Sequence, residues 1–313
     1  MAELKGTRDG YGEALIELGE KDSNIVVLDA DLGSSTRARK FATKFPERYF
    51  NVGVAEQNMI GIASGLACTG KTVFASTFAI FATGRPWEQI RNSVCFSNLN
   101  VKIVASHGGI TVGADGASHQ SLEDVAIMRC IPNMKVIVPC DYEETKKTMR
   151  EIVKVKGPYY IRLGRAKYPV LTNPDTPFEV GKGHIFRKGK HVTIISTGTM
   201  LDHALKAAAQ LEKQDVQAEV MHIHTIKPID AELIAASAKK TRCVVTVEEH
   251  SVIGGLGSAV SEVLCSCCPV PVERIGIQDK FGRSGSPEVL IKVYNMDVPD
   301  IVEAAKKVIQ KKD

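Results

Sequence analysis

The chain has 313 residues, of which 44% are hydrophobic and 24% are charged, and its 40 basic and 36 acidic residues leave a net charge of +4. This composition is typical of a folded globular protein with enough residues for two domains. The mixed signs exclude the concentrated basic surface of a nucleic-acid-binding protein. Uncharged stretches fall short of the roughly 18 apolar residues that a membrane helix needs, and the acidic N-terminal segment lacks the apolar core of a signal peptide. We therefore expect a cytoplasmic protein with no nucleic-acid or membrane partner.

Six strand-like segments alternate with helix-like segments in the first half of the chain. They are rich in Val, Ile and aromatic residues, and several are apolar almost throughout, which favours strands covered on both faces of a parallel sheet. They span residues 24–31, 48–55, 71–77, 101–109, 134–141 and 159–165. Between the last two, residues 142–155 carry acids early and bases late, as the dipole of a helix favours.

The segment "AKYPVLTNPDTPFEVGKG" (166–183) contains three prolines and little apolar periodicity, which indicates a linker. Alternation then resumes, with strand-like segments at 191–199, 218–226, 242–250 and 272–277. The sequence thus predicts an α/β protein of two consecutive domains, each a mostly parallel sheet flanked by helices. We place the first domain at 1–168, the linker at 169–190 and the second domain at 191–313.

Polar side chains follow the predicted strands of the first domain. In open α/β sheets, ligands bind outside the carboxyl ends of the strands. Parallel strands would bring these side chains to one edge, which predicts a binding site there. The residues that follow the first, second, fourth and sixth strands are Asp31, Ser34, Ser35, Glu56, His107, Asp115, His119, Arg162 and Arg165.

Glu56 is the one carboxylate in the apolar and small-residue stretch "NVGVAEQNMIGIASGLA" (51–67). An unpaired buried carboxylate costs several kcal/mol. Either Glu56 lies at a surface edge, where it complements a helix N-terminus, or a ligand binds it in otherwise apolar surroundings.

Four motifs together resemble the transketolases, which use thiamine diphosphate. They are "GVAEQNMIGIASGLA" (53–67), "STFAIFATGR" (76–85), "GADGASHQSLEDVAIMRCIPNM" (113–134) and "VVTVEEHSVIGGLGSAV" (244–260). The first three resemble the pyrimidine-binding region of that family, and the likeness continues into the second domain. It implies a pyrimidine domain of the thiamine-diphosphate fold followed by a domain like the transketolase C-terminal domain.

The resemblance implies roles at the cofactor. The glutamate that matches Glu56 hydrogen-bonds the aminopyrimidine and favours the tautomer that deprotonates the thiazolium carbon. The ylid so formed carries a two-carbon ketol unit between ketose and aldose phosphates. Phe81 and Phe78 match aromatic walls of the pyrimidine site, and Asp31 matches an acid beside the cofactor.

The resemblance also implies substrate-binding roles. Four residues match positions that grip a sugar phosphate, and their side chains supply suitable donors. These four are Arg8, Ser35, His107 and Arg165. Asp115 matches a group that bonds a substrate hydroxyl, and His119 matches one near the reacting carbon, where it assists proton transfer. Arg162 has no such match, and we expect it to be structural.

The chain departs from the family in two places. Many transketolases have a further aromatic residue where this chain has Gly84 and Arg85. The "GDG" segment that holds the diphosphate and its metal is absent, so we predict no metal-binding residues here. The resemblance therefore implies the C-terminal half of a split transketolase. An N-terminal partner subunit would hold Mg²⁺ or Ca²⁺, and two copies of each chain would form a heterotetramer.

Other interpretations stay open. A deoxyxylulose-phosphate synthase shares parts of the motifs, and the β-subunit of a 2-oxo-acid dehydrogenase is also a pyrimidine half. A non-catalytic binding or regulatory module with the same fold is a further alternative. The C-x-x-C spacing of Cys265 and Cys268 has no second pair nearby, and we interpret these residues as buried thiols near a helix end.

Overall fold

The computed structural model describes residues 3–312 of the chain. The strands of the first half are β1 (Leu4–Gly6), β2 (Ile25–Asp29), β3 (Tyr49–Asn51), β4 (Thr72–Phe78), β5 (Val101–Ser106), β6 (Lys135–Ile137), β7 (Tyr159–Arg162) and β8 (Lys167–Pro169). Its helices are α1 (Thr7–Lys21), α2 (Gly33–Thr36), α3 (Arg39–Lys44), α4 (Glu56–Cys68), α5 (Ala79–Gly84), α6 (Trp87–Gln89), α7 (Asp124–Arg129) and α8 (Tyr142–Ile152). A π-helical segment, Ile90–Cys95, follows α6.

The strands of the second half are β9 (His184–Arg187), β10 (Val192–Ser196), β11 (Ala218–His222), β12 (Thr225–Lys227), β13 (Val244–Ser251) and β14 (Val272–Ile277). Its helices are α9 (Leu201–Glu212), α10 (Ala231–Thr241), α11 (Leu256–Cys267), α12 (Pro287–Val293) and α13 (Val298–Ile309). No helix within residues 3–312 is long and apolar enough to cross a membrane.

Two mostly parallel sheets organise the chain, as the sequence predicts. The first has the order β12-β6-β7-β5-β4-β2-β3, in which only β12 is antiparallel to its neighbour. The second has the order β14-β13-β10-β11-β9, in which only β9 is antiparallel. Every residue of the central strands β2, β4 and β5 is buried, because helices cover both faces of such a sheet.

The predicted strand at 218–226 is wrong in one respect, because it is two strands in two different sheets. β11 lies in the second sheet, and after His222 the chain crosses to the first sheet, where β12 pairs with β6. The amide of Val138 donates to the carbonyl of His224 over 2.7 Å at this crossing. Apolar residues recur from one strand into the next, through Ile223 and Ile226, so the sequence does not mark the change of sheet.

The segment predicted as a linker, 169–190, contains β9, which pairs with β11. β8 begins just before that segment and pairs with β1 at the start of the chain. The division of the chain at 168 and 191 stays a prediction, and Met1, Ala2 and Asp313 lie outside the described residues.

Candidate active site

The carboxyl ends of the parallel strands lie side by side along one edge of the first sheet. Phe78 at the end of β4 is opposite Ser106 at the end of β5, and Ala105 of β5 is opposite Arg162 at the end of β7. The residues that follow these strands therefore start from neighbouring points. This is the edge at which the sequence predicts a site.

Glu56 is the first residue of α4 and is only 3% exposed. Its surroundings are not the apolar ones expected from the sequence. Arg85 Nη1 donates to Oε1 and Oε2 of Glu56 over 2.9 and 2.8 Å, and the Thr77 hydroxyl donates to Oε1 over 3.3 Å. The buried carboxylate is therefore paired with a cation, which offsets its loss of hydration.

Four rings form a connected group that reaches this carboxylate through Arg85. The His107 ring stacks on Phe78 with centroids 3.7 Å apart, and Phe78 lies 6.0 Å from Phe81. The His119 ring meets Phe81 edge-on at 5.3 Å. The Arg85 guanidinium carbon lies 4.0 Å from the centroid of Phe81, on whose face it stacks. The structure thus brings Glu56, Phe78, Phe81 and the two histidines into one contiguous group.

His107 is buried at the end of β5 in a left-handed conformation, with φ of 61°. Non-glycine residues rarely adopt this conformation, and such residues cluster at functional sites. Its Nδ1 shares a hydrogen bond of 2.8 Å with the Ser106 hydroxyl. Burial, and then the charges of Arg8 and Arg165, lower the pKa of His107 to about 3. His107 is therefore a neutral imidazole at neutral pH, suited to hydrogen bonding rather than to charge pairing.

Three arginines, Arg8, Arg37 and Arg165, lie close enough to His107 to lower its pKa. Arg8 Nη1 donates to the Ser35 carbonyl over 2.8 Å, and Arg8 Nε is buried without a partner within residues 3–312. Partial burial and the charge of Arg37 lower the pKa of Arg8. Arg37, which sequence reasoning missed, pairs with Asp9 at 2.7 Å. The group carries more positive than negative charge and therefore suits an anion.

Arg165 is half exposed and donates to the Val112 carbonyl. Its Nη1 lies 3.9 Å from the exposed carboxylate of Asp115, so the two share one side of the site. His119 is half-buried and shares a hydrogen bond of 3.0 Å with the Ser118 hydroxyl.

Asp31 is placed differently from the other candidates. It has a left-handed conformation, with φ of 64°, and it accepts a hydrogen bond of 2.8 Å from Asn51. Its described side-chain contact is thus with the end of β3 and not with the rings.

Arg162 is structural, as the sequence analysis expects. It is buried, its Nε donates to Asp124 over 2.7 Å, and its Nη2 donates to the carbonyls of Ser121 and Glu249. Because Glu249 belongs to β13, this side chain joins the two domains.

One cluster of possible metal ligands occurs within residues 3–312, formed by the buried side chains of Cys140, Glu144 and His222. Glu144 is already satisfied there. Its Oε2 accepts from the Cys140 amide over 2.6 Å and hydrogen-bonds His222 Nε2 over 2.8 Å. Burial raises the pKa of Glu144, but His222 outweighs that effect and lowers it to about 2. This cluster is a buried hydrogen-bonded contact between α8 and β11, and its carboxylate already has protein partners.

The cysteines near the end of α11 correct one expectation. Cys265 and Cys267 are exposed, and Cys268 is half-buried. They lie near a helix end as predicted, but they are not buried thiols.

The group around Glu56 fits the aminopyrimidine of thiamine diphosphate. A buried carboxylate faces a planar group with N–H donors, at present the Arg85 guanidinium, and an aromatic face lies 4.0 Å below that group. An aminopyrimidine is likewise planar and needs the same two partners.

Comparison with known families decides between the interpretations that the sequence leaves open. Residues 5–170 match the pyrimidine-binding domain of transketolase, and residues 181–301 match the transketolase C-terminal domain. The chain belongs to the transketolase family. The predicted family and fold class are therefore confirmed.

Several relatives of this transketolase-family chain are themselves short. It is 55% identical to the transketolase C-terminal section of Methanocaldococcus jannaschii, over 96% of this chain and 95% of the relative. It is 44% identical to the 6-deoxy-6-sulfo-D-fructose transketolase subunit of Clostridium sp., over 98% of this chain and 95% of the relative. Its match to human transketolase, at 37% identity, covers 97% of this chain but only 49% of that protein.

A solved structure of a split-gene transketolase, described as an inactive β4 tetramer, superposes with a TM-score of 0.92. The two chains are 49% identical, and the match covers 98% of this chain and 99% of the other. The prediction that this chain corresponds to the C-terminal half of a split, thiamine-diphosphate-dependent transketolase is thus confirmed.

Proposed function

We propose that this chain supplies the pyrimidine side of a thiamine diphosphate site and the phosphate-binding side of a substrate site in a cytoplasmic two-chain transketolase. The observation that carries the proposal is the buried carboxylate of Glu56 at the carboxyl edge of the first sheet. Arg85 links it to the Phe81 ring, which His119 meets edge-on. Thiamine diphosphate, when bound, supplies the carbanion chemistry for moving a two-carbon ketol unit.

At the cofactor, Glu56 would hold the proton shared with the aminopyrimidine, and Phe81 would stack on its ring. Phe78 would complete the aromatic side of the pyrimidine site, because its ring packs between those of Phe81 and His107. Asp31 would lie beside the cofactor after a rearrangement of its contact with Asn51.

At the substrate, Arg8 and Arg165 would bind the phosphate of a ketose or aldose phosphate, together with Ser35 and His107. The unpartnered Arg8 Nε and the excess positive charge around His107 support this assignment. A charge-assisted hydrogen bond from arginine to phosphate is a strong one. Asp115 would accept from a substrate hydroxyl.

His119 would move a proton at the substrate. It meets Phe81 edge-on, so it borders the proposed pyrimidine site from the open side. It is also only half-buried, which leaves its ring accessible to a sugar. An imidazole in such a position serves as a general acid or base.

The diphosphate and its Mg²⁺ or Ca²⁺ belong, in this proposal, to an N-terminal partner subunit that carries a "GDG" motif. The cofactor then lies across the interface between the chains, in a heterotetramer with two copies of each. The related split-gene chain whose solved structure is described as an inactive tetramer supports the view that such chains need a partner.

The test is a coupled assay with xylulose 5-phosphate and ribose 5-phosphate, run with each chain alone and with both chains plus thiamine diphosphate and magnesium. We expect activity only in the mixture, and cofactor should stabilise the assembly because it binds the assembled form. In the mixture, Glu56→Gln should lower kcat by orders of magnitude at saturating cofactor. Full activity from this chain alone, in a preparation shown by mass spectrometry to lack other proteins, would contradict the proposal.

The substrate panel should be wider than this pair of sugars. Relatives at 44% and 38% identity are named for 6-deoxy-6-sulfo-D-fructose and for apulose 4-phosphate. Both compounds are sugars that carry an anionic group at the end of the chain. The arginines around His107 suit either kind of anion, so a sulfonated ketose and a branched sugar phosphate belong in the assay.

A further inference from the structure

Arg85 makes both of the contacts that the proposed function assigns to the aminopyrimidine ring. Its Nη1 donates to the two carboxylate oxygens of Glu56 over 2.9 and 2.8 Å. Its guanidinium carbon lies 4.0 Å from the centroid of the Phe81 ring. Guanidinium is planar, delocalised and rich in N–H donors, so it resembles the edge of an aminopyrimidine in shape and in hydrogen bonding.

We propose that Arg85 occupies the pyrimidine position in the free chain and that cofactor binds only by displacing it. The carboxylate of Glu56 and the face of the Phe81 ring cannot contact the Arg85 guanidinium and an aminopyrimidine at the same time. This inference rests on the proposed function, and it adds a residue whose displacement sets the affinity for the cofactor.

The backbone and the side chain of Arg85 are held very differently. Its carbonyl accepts a hydrogen bond of 3.1 Å from Gln57 of α4, and its amide closes the last turn of α5 on Phe81. The side chain, in contrast, is 45% exposed, whereas that of Glu56 is 2% exposed. A rotation of the Arg85 side chain into solvent therefore vacates the position without moving either helix.

The same contact explains how the free chain keeps Glu56 in place before any ligand arrives. A buried carboxylate without a partner is strongly unfavourable, and the arginine supplies the missing charge and hydrogen bonds. Removal of Arg85 should therefore raise the free energy of the empty site but leave the occupied site unaffected. Cofactor should then bind more tightly.

The test compares Arg85→Met, which retains a stem to cover Phe81 but has no donors, with the wild type. Calorimetry would measure the affinity of the two-chain complex for thiamine diphosphate in the presence of magnesium. We expect Arg85→Met to lower the Kd about tenfold, which corresponds to about 1.4 kcal/mol. Arg91→Met is the matched control, because Arg91, in the π-helical segment, is exposed and contacts Asn92 instead.

A second measurement needs no cofactor. Urea unfolding of the free chain should show Arg85→Met to be less stable than the wild type, because Glu56 loses its partner. The double variant Glu56→Gln with Arg85→Met should recover part of that loss, since the charge that needs a partner is gone. Additive effects of the two substitutions would show that the pair does not couple and would overturn the proposal.

The outcomes separate this inference from the proposed function. A weaker or unchanged affinity in Arg85→Met overturns the displacement, since a weaker one would make Arg85 a direct cofactor contact. Near-normal turnover of Glu56→Gln overturns the proposed function, and the displacement with it. A wild-type complex that binds no thiamine diphosphate overturns both.

Discussion

Positive charge in the candidate site comes from residues that are far apart in the sequence. Arg8 lies in the first turn of α1, Arg37 follows α2 and Arg165 follows β7, yet all three lower the pKa of His107. His107 itself stays neutral at neutral pH, because burial and then these charges lower its pKa to about 3. The charge that would attract a sugar phosphate is therefore the charge of the guanidinium groups.

At this scale we predict that Arg165→Ala raises the KM for phosphorylated sugars about ten- to a hundredfold. A hydrogen bond to a charged group contributes roughly 1.5–3 kcal/mol, and the variant loses it only where the substrate carries the phosphate. Steady-state kinetics with phosphorylated and unphosphorylated ketoses would measure the difference.

Arg150→Ala is the matched control for that experiment. Arg150 has a similar side-chain exposure, 44% against 40% for Arg165, but pairs with Glu17 on the surface formed by α1 and α8. Equal losses for both kinds of sugar in Arg165→Ala would contradict a phosphate-binding role.

The sequence predicted that several candidate residues lie at one edge because they follow strands, and it missed the contacts that depend on folding. Glu56, His107 and Arg165 stand at predictable positions after β3, β5 and β7. The pairing of Arg85 with Glu56 spans 29 residues, and no local pattern encodes it. Arg37 was missed for the same reason, since only the fold places it near His107.

At the scale of elements, a buried ion pair holds three of them together. Arg162 of β7 pairs with Asp124 at the start of α7, and it donates to the Glu249 carbonyl of β13 over 2.9 Å. The Tyr160 hydroxyl donates to the same Asp124 oxygen over 2.6 Å. Loss of one partner would leave a buried charge without compensation.

We predict that Arg162→Met destabilises the chain by about 3–5 kcal/mol, as breaking a buried ion pair does. Urea unfolding of the free chain would measure the loss. The control is Arg150→Met, because Arg150 also pairs with a carboxylate, that of Glu17, but its side chain is 44% exposed. An exposed pair contributes about 0–1 kcal/mol, so similar losses in the two variants would contradict the prediction.

The existence of the strands was predictable because they are nearly continuous in apolar residues. Their first and last residues were less predictable. The predicted strand at 48–55 is only β3, because Val52 to Ala55 turn away through Gly53, whose φ is 75°. The sequence of β11 and β12 predicts one strand, because residues before and after the change of sheet are buried and apolar residues occur on both sides of it. Apolar content reports burial, and it does not report the sheet to which a strand belongs.

At the scale of the whole molecule, histidines lie in the contact between the domains. His224 is buried, its ring stacks on Phe178 at 4.3 Å, and its Nδ1 shares a hydrogen bond of 2.8 Å with Thr225. Burial lowers the pKa of His224 to about 4. Between about pH 6.5 and pH 4, His224 is therefore protonated in the unfolded chain but neutral in the folded chain.

Stability should consequently fall as the pH drops from about 6.5 toward 4, and His224 should account for about 2 kcal/mol of the loss between pH 7 and pH 5. Urea unfolding at both pH values should show that His224→Asn loses correspondingly less than the wild type. His191→Asn, at a half-exposed histidine before β10, is the control. An equal pH dependence in His224→Asn and the wild type would contradict the prediction.

β12 is a strand of only three residues that the second half of the chain contributes to the first sheet. A chain truncated after the first domain would leave β6 unpaired along one side, and an unpaired edge strand is a template on which other chains aggregate. If the second domain is exchanged between relatives by recombination, the first domain should therefore stay free of aggregation only when the incoming domain contains a strand equivalent to β12. Thr225 and Lys227 lie opposite Ile137 and Val136 of β6. The pairing of these residues therefore limits where the chain can be cut into separate domains.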